Sequence, residues 1–197
     1  MKTQQFGIEI EMTGITREQA AKVIAAYFGT ESTCVGGTYH TYEAKDTKGR
    51  TWKAMYDSSI VAEKKANGGR VSASDEYKTE VVSPILGYDD INDLQELVRQ
   101  LRHKGGIINP SCGIHIHVGA DRFTPQTLRN LVNIIASKED ILYKALQIDP
   151  RRLRYCKKTN EELLKTINRE KPQTMTQLAN IWYVEDPCGR DRRYNNT

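Results

Sequence analysis

The chain has 197 residues, 38% of them hydrophobic and 27% charged, with a net charge of +4. That is one ordinary domain or two small ones, with enough apolar side chain for a packed core, so a disordered tail protein is excluded. The mild positive charge suits anionic ligands such as nucleotides but lacks the polycationic signature of a nucleic-acid binder. No apolar run approaches the ~20 residues of a membrane span. With Glu9 and Glu11 near the start and no apolar stretch beside them, a signal peptide is not expected. Four cysteines (Cys34, Cys112, Cys156, Cys188) stand far apart without a C-x-x-C pair. That spacing argues against a zinc finger or disulfide framework and points to a reduced, cytoplasmic setting.

Gln5 to Met12 alternates, with Phe6, Ile8, Ile10 and Met12 on one side and Gly7, Glu9 and Glu11 on the other. Period two predicts a half-buried strand. Thr16 with Gln19 forms a capping-box pattern, and Gly29 is the matching stop. Between them Ala20, Val23, Ile24, Tyr27 and Phe28 make a helical stripe. Thr38–Ala44 and Thr51–Tyr56 read as a hairpin around Asp46-Thr47-Lys48-Gly49. The polar stretch from Ala62 to Ser74 is expected to be a mobile loop. Tyr77–Ser83 reads as a strand ended by Pro84.

Asp89 or Asp90 is the expected cap of a helix running to about Lys104, with Ile91, Leu94, Leu97, Val98 and Leu101 buried. Ser111–Val118 is a second alternating strand, and Thr124-Pro125 opens a long helix. Its expected apolar face is Leu128, Leu131, Val132, Ile135, Ile141, Leu142 and Ala145. Thr159 with Glu162 predicts a further capped helix, and a shorter one is expected over Thr174–Val184. The fold class is α+β: an antiparallel-rich sheet with helices on one face and polar side chains on the other.

Glu9 and Glu11 share one strand face, with Cα atoms ~6.5–7 Å apart. Like charges so placed are either solvated on an edge strand or screened by a cation. His115 and His117 share a face opposite Ile114, Ile116 and Val118, a recurrent way to aim two imidazoles at one ion. Glu80 lies inside the otherwise apolar Thr79–Val82 run, so its carboxylate needs either a basic partner or a cation. Asp57 stands at a strand end, where it caps an Asp-Ser-Ser turn or reaches the same cleft. Mostly oxygen donors with one or two imidazoles suit Mg²⁺, or Mn²⁺, better than zinc.

Four motifs then occur in order: Gly7-Ile8-Glu9-Ile10-Glu11, Trp52 with Asp57-Ser58-Ser59-Ile60, Glu80-Val81-Val82-Ser83-Pro84-Ile85-Leu86, and Cys112-Gly113-Ile114-His115-Ile116-His117-Val118. The order resembles the amidoligase family, within the carboxylate–amine ligase superfamily of glutamine synthetase and glutamate–cysteine ligase, over roughly residues 5–135. The resemblance implies a glutamine-synthetase-like curved antiparallel sheet that holds ATP and two or three Mg²⁺ ions on one face. It implies metal ligands at Glu9, Glu11, Glu80 and His115. It puts Asp57 near the ATP or amine site and His117 toward phosphates or substrate, as catalytic candidates. The implied reaction joins a small-molecule or peptide carboxylate to an amine through an acyl phosphate. Such chemistry needs cationic groups around the transferred phosphoryl, for which Arg152, Arg154, Arg192 and Arg193 are the candidates.

The family's closing Glu-x-Arg strand has no match after Ser137. The expectation is therefore a single catalytic domain over 1–197, truncated at its C-terminus, with a basic helical region from 150 to 197. Two rival readings stand beside the ligase: a metal-dependent hydrolase using the same His-x-His and carboxylates, and a non-enzymatic nucleic-acid-binding module. The second lacks aromatic residues interleaved with its basic ones.

Overall fold

The computed structural model describes residues 2–153 and 156–183. The chain divides into two compact units, the first ending at Gly119 and the second beginning at Ala120. The first unit holds a six-stranded sheet in the order β2-β3-β4-β7-β1-β8, and its neighbouring strands are antiparallel. The strands are β1 (Phe6–Met12), β2 (Ser32–Gly36), β3 (Thr41–Lys45), β4 (Thr51–Met55), β7 (Thr79–Val82) and β8 (Ile114–Val118). β5 (Glu63–Ala66) and β6 (Gly69–Ser72) form a separate ribbon. Helices α1 (Arg17–Phe28) and α2 (Ile91–His103) complete the unit.

Helix α1 forms as its caps dictate. The Thr16 hydroxyl accepts from the Gln19 amide, the Gln19 side chain accepts from the Thr16 amide, and Gly29 takes the left-handed conformation that ends the helix. Such an N-cap contributes about 1 kcal/mol. Its stripe buries Ala20, Ala21, Ile24 and Ala25 among Ile10, Met12, Ala44, Trp52, Ala54 and Val81 of the sheet and Leu97 and Leu101 of α2. A fully buried Leu or Ile contributes about 1.5–3 kcal/mol, so this one-sided core fixes which face of every strand looks inward. A slip of one residue would exchange core and solvent faces.

Three expectations in this unit are corrected. Ala62–Ser74 is not a loop but contains the β5–β6 hairpin. Asn67 and Gly68, with φ of 51° and 75°, make the two-residue turn whose twist matches paired strands. Val98, expected to be buried, is 38% exposed. Asp90 stands at the N-cap of α2 without capping it; its carboxylate instead binds the Gly87 amide, Lys48 and Arg50. Strand β2, which the sequence pattern did not reveal, is largely exposed and so carries no clean alternation.

The second unit packs α3 (Pro125–Ala145), α4 (Glu161–Glu170) and α5 (Met175–Trp182) around Val132, Leu163, Ile167 and Leu178. Two expectations change here. Of the long α3 stripe only Val132 is buried, while Leu131, Ile135, Ile141 and Leu142 are exposed, because Leu163, Ile167 and Leu178 meet α3 only around Leu128 and Val132. Asn160, not Thr159, caps α4. The Thr159 amide and hydroxyl both donate to buried Glu139 at 2.6 Å. None of the helices among the described residues is long and apolar enough to cross a membrane.

Candidate metal centre

Alternation and register together build the site. Ile8, Ile10 and Met12 are held inward by the core, so Glu9 and Glu11 face outward on β1. Pairing sets Glu9 opposite His115 of β8 and Glu11 opposite Glu80 of β7. Cross-strand partners share a face and sit ~5 Å apart. Side chains more than 100 residues apart in sequence thus meet across β7, β1 and the edge strand β8.

The cluster grades from a buried floor to an open rim. The side chain of Glu11 is 4% exposed, that of Glu9 27%, and those of His115 and His117 51% and 64%. Glu11 accepts from the Gly113 amide at 2.6 Å. His115 Nδ1 lies 2.8 Å from Glu9, and its Nε2 lies 3.6 Å from Glu11. His117 Nε2 lies 3.2 Å from the other Glu9 oxygen. Asp57, two residues past the end of β4, accepts from the Ser59 amide at 2.6 Å and so also caps its turn.

Two trios of donors emerge. In each of Glu9, Glu80, His115 and Glu11, Asp57, Glu80, one donor atom per residue falls within 4.8 Å of the others. Oxygens around one Mg²⁺, each at ~2.0–2.1 Å, lie ~3–4 Å apart, so a small contraction closes either trio on an ion. Glu80 belongs to both. Burial first, then the carboxylates of Glu9, Asp57 and Glu11, push the Glu80 pKa up to about 7. Four carboxylates gathered at a half-buried floor repel one another, and a divalent cation is the chemical complement of such a donor set.

Glu9, Glu11, Asp57, Glu80, His115 and His117 therefore stand together, as the sequence motifs anticipated. Arg152 lies in a short turn, Pro150–Arg152, of the second unit, and Arg154, Arg192 and Arg193 lie outside the described residues. The sequence reading missed Lys53. It pairs with Val82, which pairs with Glu9, so this cation shares the polar face about 10 Å from β1. Its signal was the position after Trp52, whose burial turns Lys53 outward.

A family model described as "Putative amidoligase enzyme" matches residues 2–197. No curated protein matches the chain.

Proposed function

The chain belongs to the amidoligase family, whose members form amide bonds, and from that premise we propose that it is an ATP- and Mg²⁺-dependent carboxylate–amine ligase on a glutamine-synthetase-like sheet. The observation that carries the reading is the meeting of Glu9, Glu11, Asp57, Glu80 and His115 on one sheet face. In the proposed reaction a substrate carboxylate oxygen attacks the γ-phosphorus of ATP, expelling ADP and giving an acyl phosphate. An amine then attacks the acyl carbon, loses a proton and expels phosphate to leave the amide.

Glu9, Glu80 and His115 would hold one Mg²⁺ or Mn²⁺, and Glu11, Asp57 and Glu80 a second. The ions would screen the phosphate oxygens from the incoming carboxylate. The protein's own groups do the rest. Glu9 orients both imidazoles through its two oxygens. His117, at the open rim, would meet phosphate or the amine proton. Asp57, tied to its turn, would attract a cationic amine. Lys53, which lies 3.8 Å from Glu43, is a cation on this face that would meet a transferred phosphoryl group.

The test is ADP release by the purified chain with ATP, Mg²⁺, pooled carboxylates and hydroxylamine as the amine, which converts an acyl phosphate to a hydroxamate read as its coloured iron(III) complex. Hydroxamate formation that needs ATP, Mg²⁺ and a carboxylate together supports the ligase. Stoichiometric tight zinc, with ester or amide hydrolysis and no nucleotide binding, would support the metal hydrolase instead.

A further inference from the structure

The sheet's two edges are built differently. At one, β2 shifts register against β3 between Cys34 and Gly36, and Gly36 and Gly37, with φ of 68° and 74°, take the chain out of the strand. Irregularities of this kind protect an edge from further pairing. At the other, β8 pairs with β1 without interruption from Ile114 to Val118. Its sequence, Ile114-His115-Ile116-His117-Val118, has no proline, lysine, arginine or carboxylate to blunt it.

The hydrogen-bond ladder fixes which groups stay open. The Glu11 amide donates to the Gly113 carbonyl, and the Gly119 amide to that of Gln5. Antiparallel pairs alternate between bonded and non-bonded, so Glu9 with His115 and Gly7 with His117 are the bonded pairs between those two. On β1, Phe6 and Ile8 bond the other way, to Leu86 and Ser83. The N–H and C=O groups of Ile114, Ile116 and Val118 therefore point away from β1, and no hydrogen-bond partner meets them among the described residues. The same three residues carry bare apolar side chains. Opposite them Ile10 is buried and Phe6 and Ile8 pack on the core, while Ile114, Ile116 and Val118 are 63%, 65% and 52% exposed. On the other face of β8 stand His115 and His117, against the Glu9 carboxylate of the metal centre.

Unpaired backbone groups and exposed apolar side chains along one edge are what an added strand binds. We propose that β8 takes up an extended peptide as an antiparallel strand, with a peptide carboxylate on the face of the metal centre. Three alternate peptide residues exchange backbone hydrogen bonds with Ile114, Ile116 and Val118 and lay apolar side chains beside theirs. The residue opposite His115 points to the other face, its Cα ~4.5 Å from that of the histidine, so an Asp or Glu there turns its carboxylate toward the metal donors. Charge favours this occupant over a second copy of the chain. Two copies paired about Ile116 would set imidazole against imidazole, whereas a carboxylate complements a bound cation. Five residues also fall far short of the ~20–30 a side of a standard protein interface. The edge thus selects, from N- to C-terminus, apolar–any–apolar–acidic–apolar. The consequence rests on the ligase reading: that acidic side chain is the carboxylate to be activated.

Fluorescence anisotropy tests it, with a labelled, end-blocked Ser-Val-Thr-Val-Glu-Val-Ser peptide titrated with the full chain in Mn²⁺ and in EDTA. Saturable binding is expected in both, tighter in Mn²⁺. Replacing the peptide glutamate by glutamine should weaken binding about tenfold in Mn²⁺ and little in EDTA. N-methylation of the central valine, which removes the N–H offered to Ile116, should weaken it at least about tenfold in both. Ile116→Pro takes away an outward N–H and no β1–β8 bond, so it should abolish peptide binding and retain Mn²⁺ binding. Absence of saturable binding overturns the proposal, as does binding indifferent to N-methylation, or a dimer in sedimentation that Ile116→Pro dissociates. The N-methylated peptide probes the unaltered chain, so the outcome does not depend on how the variant folds. With ATP, Mg²⁺ and hydroxylamine, mass spectrometry should show hydroxylamine joined to the peptide glutamate with loss of water. Peptide binding with no hydroxamate from any carboxylate would overturn the ligase reading and uphold the edge site; hydroxamate from small carboxylates without peptide binding would do the reverse.

Discussion

Two clusters of buried charge lie on the first unit, and they differ in kind. In one, Asp46 and Asp90 meet Arg50 and Lys48: Arg50 reaches Asp46 at 2.7 Å and Asp90 at 2.9 Å, and Lys48 reaches Asp90 at 2.6 Å. Two carboxylates face two cations, and the partners are satisfied. The Arg50 guanidinium, with help from Gly87 and Lys48, holds the Asp90 carboxyl far below the usual range. In the other, Glu9, Glu11, Asp57 and Glu80 cluster with His115 and His117, and Glu80 is pushed the opposite way, up to about 7. The first cluster is a clasp complete within the protein, tying the β3–β4 turn to the start of α2. The second gathers donors of the kind that a divalent cation would complete. Opposite displacements of two buried carboxylates in one fold separate a structural ion pair from a binding site more sharply than burial alone.

The largest effect should come from breaking the clasp. Arg50→Met strands Asp46 and Asp90 and should cost about 3 kcal/mol in urea unfolding, with divalent-metal binding retained by the folded fraction. Glu80→Gln should do the reverse. It removes a repelled carboxylate, so the metal-free protein should hold or gain about 1 kcal/mol at pH 8, while Mn²⁺ affinity falls at least about tenfold. A loss of stability like that of Arg50→Met would mean that the Glu80 cluster is a self-sufficient structural network.

pH sharpens the contrast. Asp90 has a depressed folded pKa, so its contribution is present above the unfolded value near 4 and is lost as acid titrates the folded group. Glu80 has a raised one, so the folded state binds the extra proton between its ordinary value and about 7. Without metal, that contribution falls as pH rises through this window. Melting curves should therefore show millimolar Mg²⁺ or Mn²⁺ stabilising more at pH 8 than at pH 5.5. The smallest effect belongs to the exposed Glu18–Lys22 pair on α1: Lys22→Ala should change stability by less than about 0.5 kcal/mol.

Strand alternation and capping boxes made much of the first unit legible. Thr16 and Gln19 marked α1 to the residue, and Glu9, Glu80 and His115 were recognisable because polar groups interrupt or alternate with apolar ones. Sequence spacing could not supply the register that sets Glu9 against His115, nor the Gly113 amide on Glu11, since both depend on pairing over long separation. The β5–β6 turn was hidden because Gly68-Gly69 masked the Asn67-Gly68 pair that forms it. The exposure of the far half of α3 was invisible to periodicity, which reports that a helix is amphipathic and not what covers it.

The most direct measurement is Mn²⁺ titration of the purified chain followed by electron paramagnetic resonance, beside Glu9→Gln, Glu80→Gln and His115→Ala. The shared-cation arrangement predicts one or two bound ions, with affinity lost most in Glu80→Gln, the residue common to both trios. Unchanged Mn²⁺ binding in all three folded variants would contradict it.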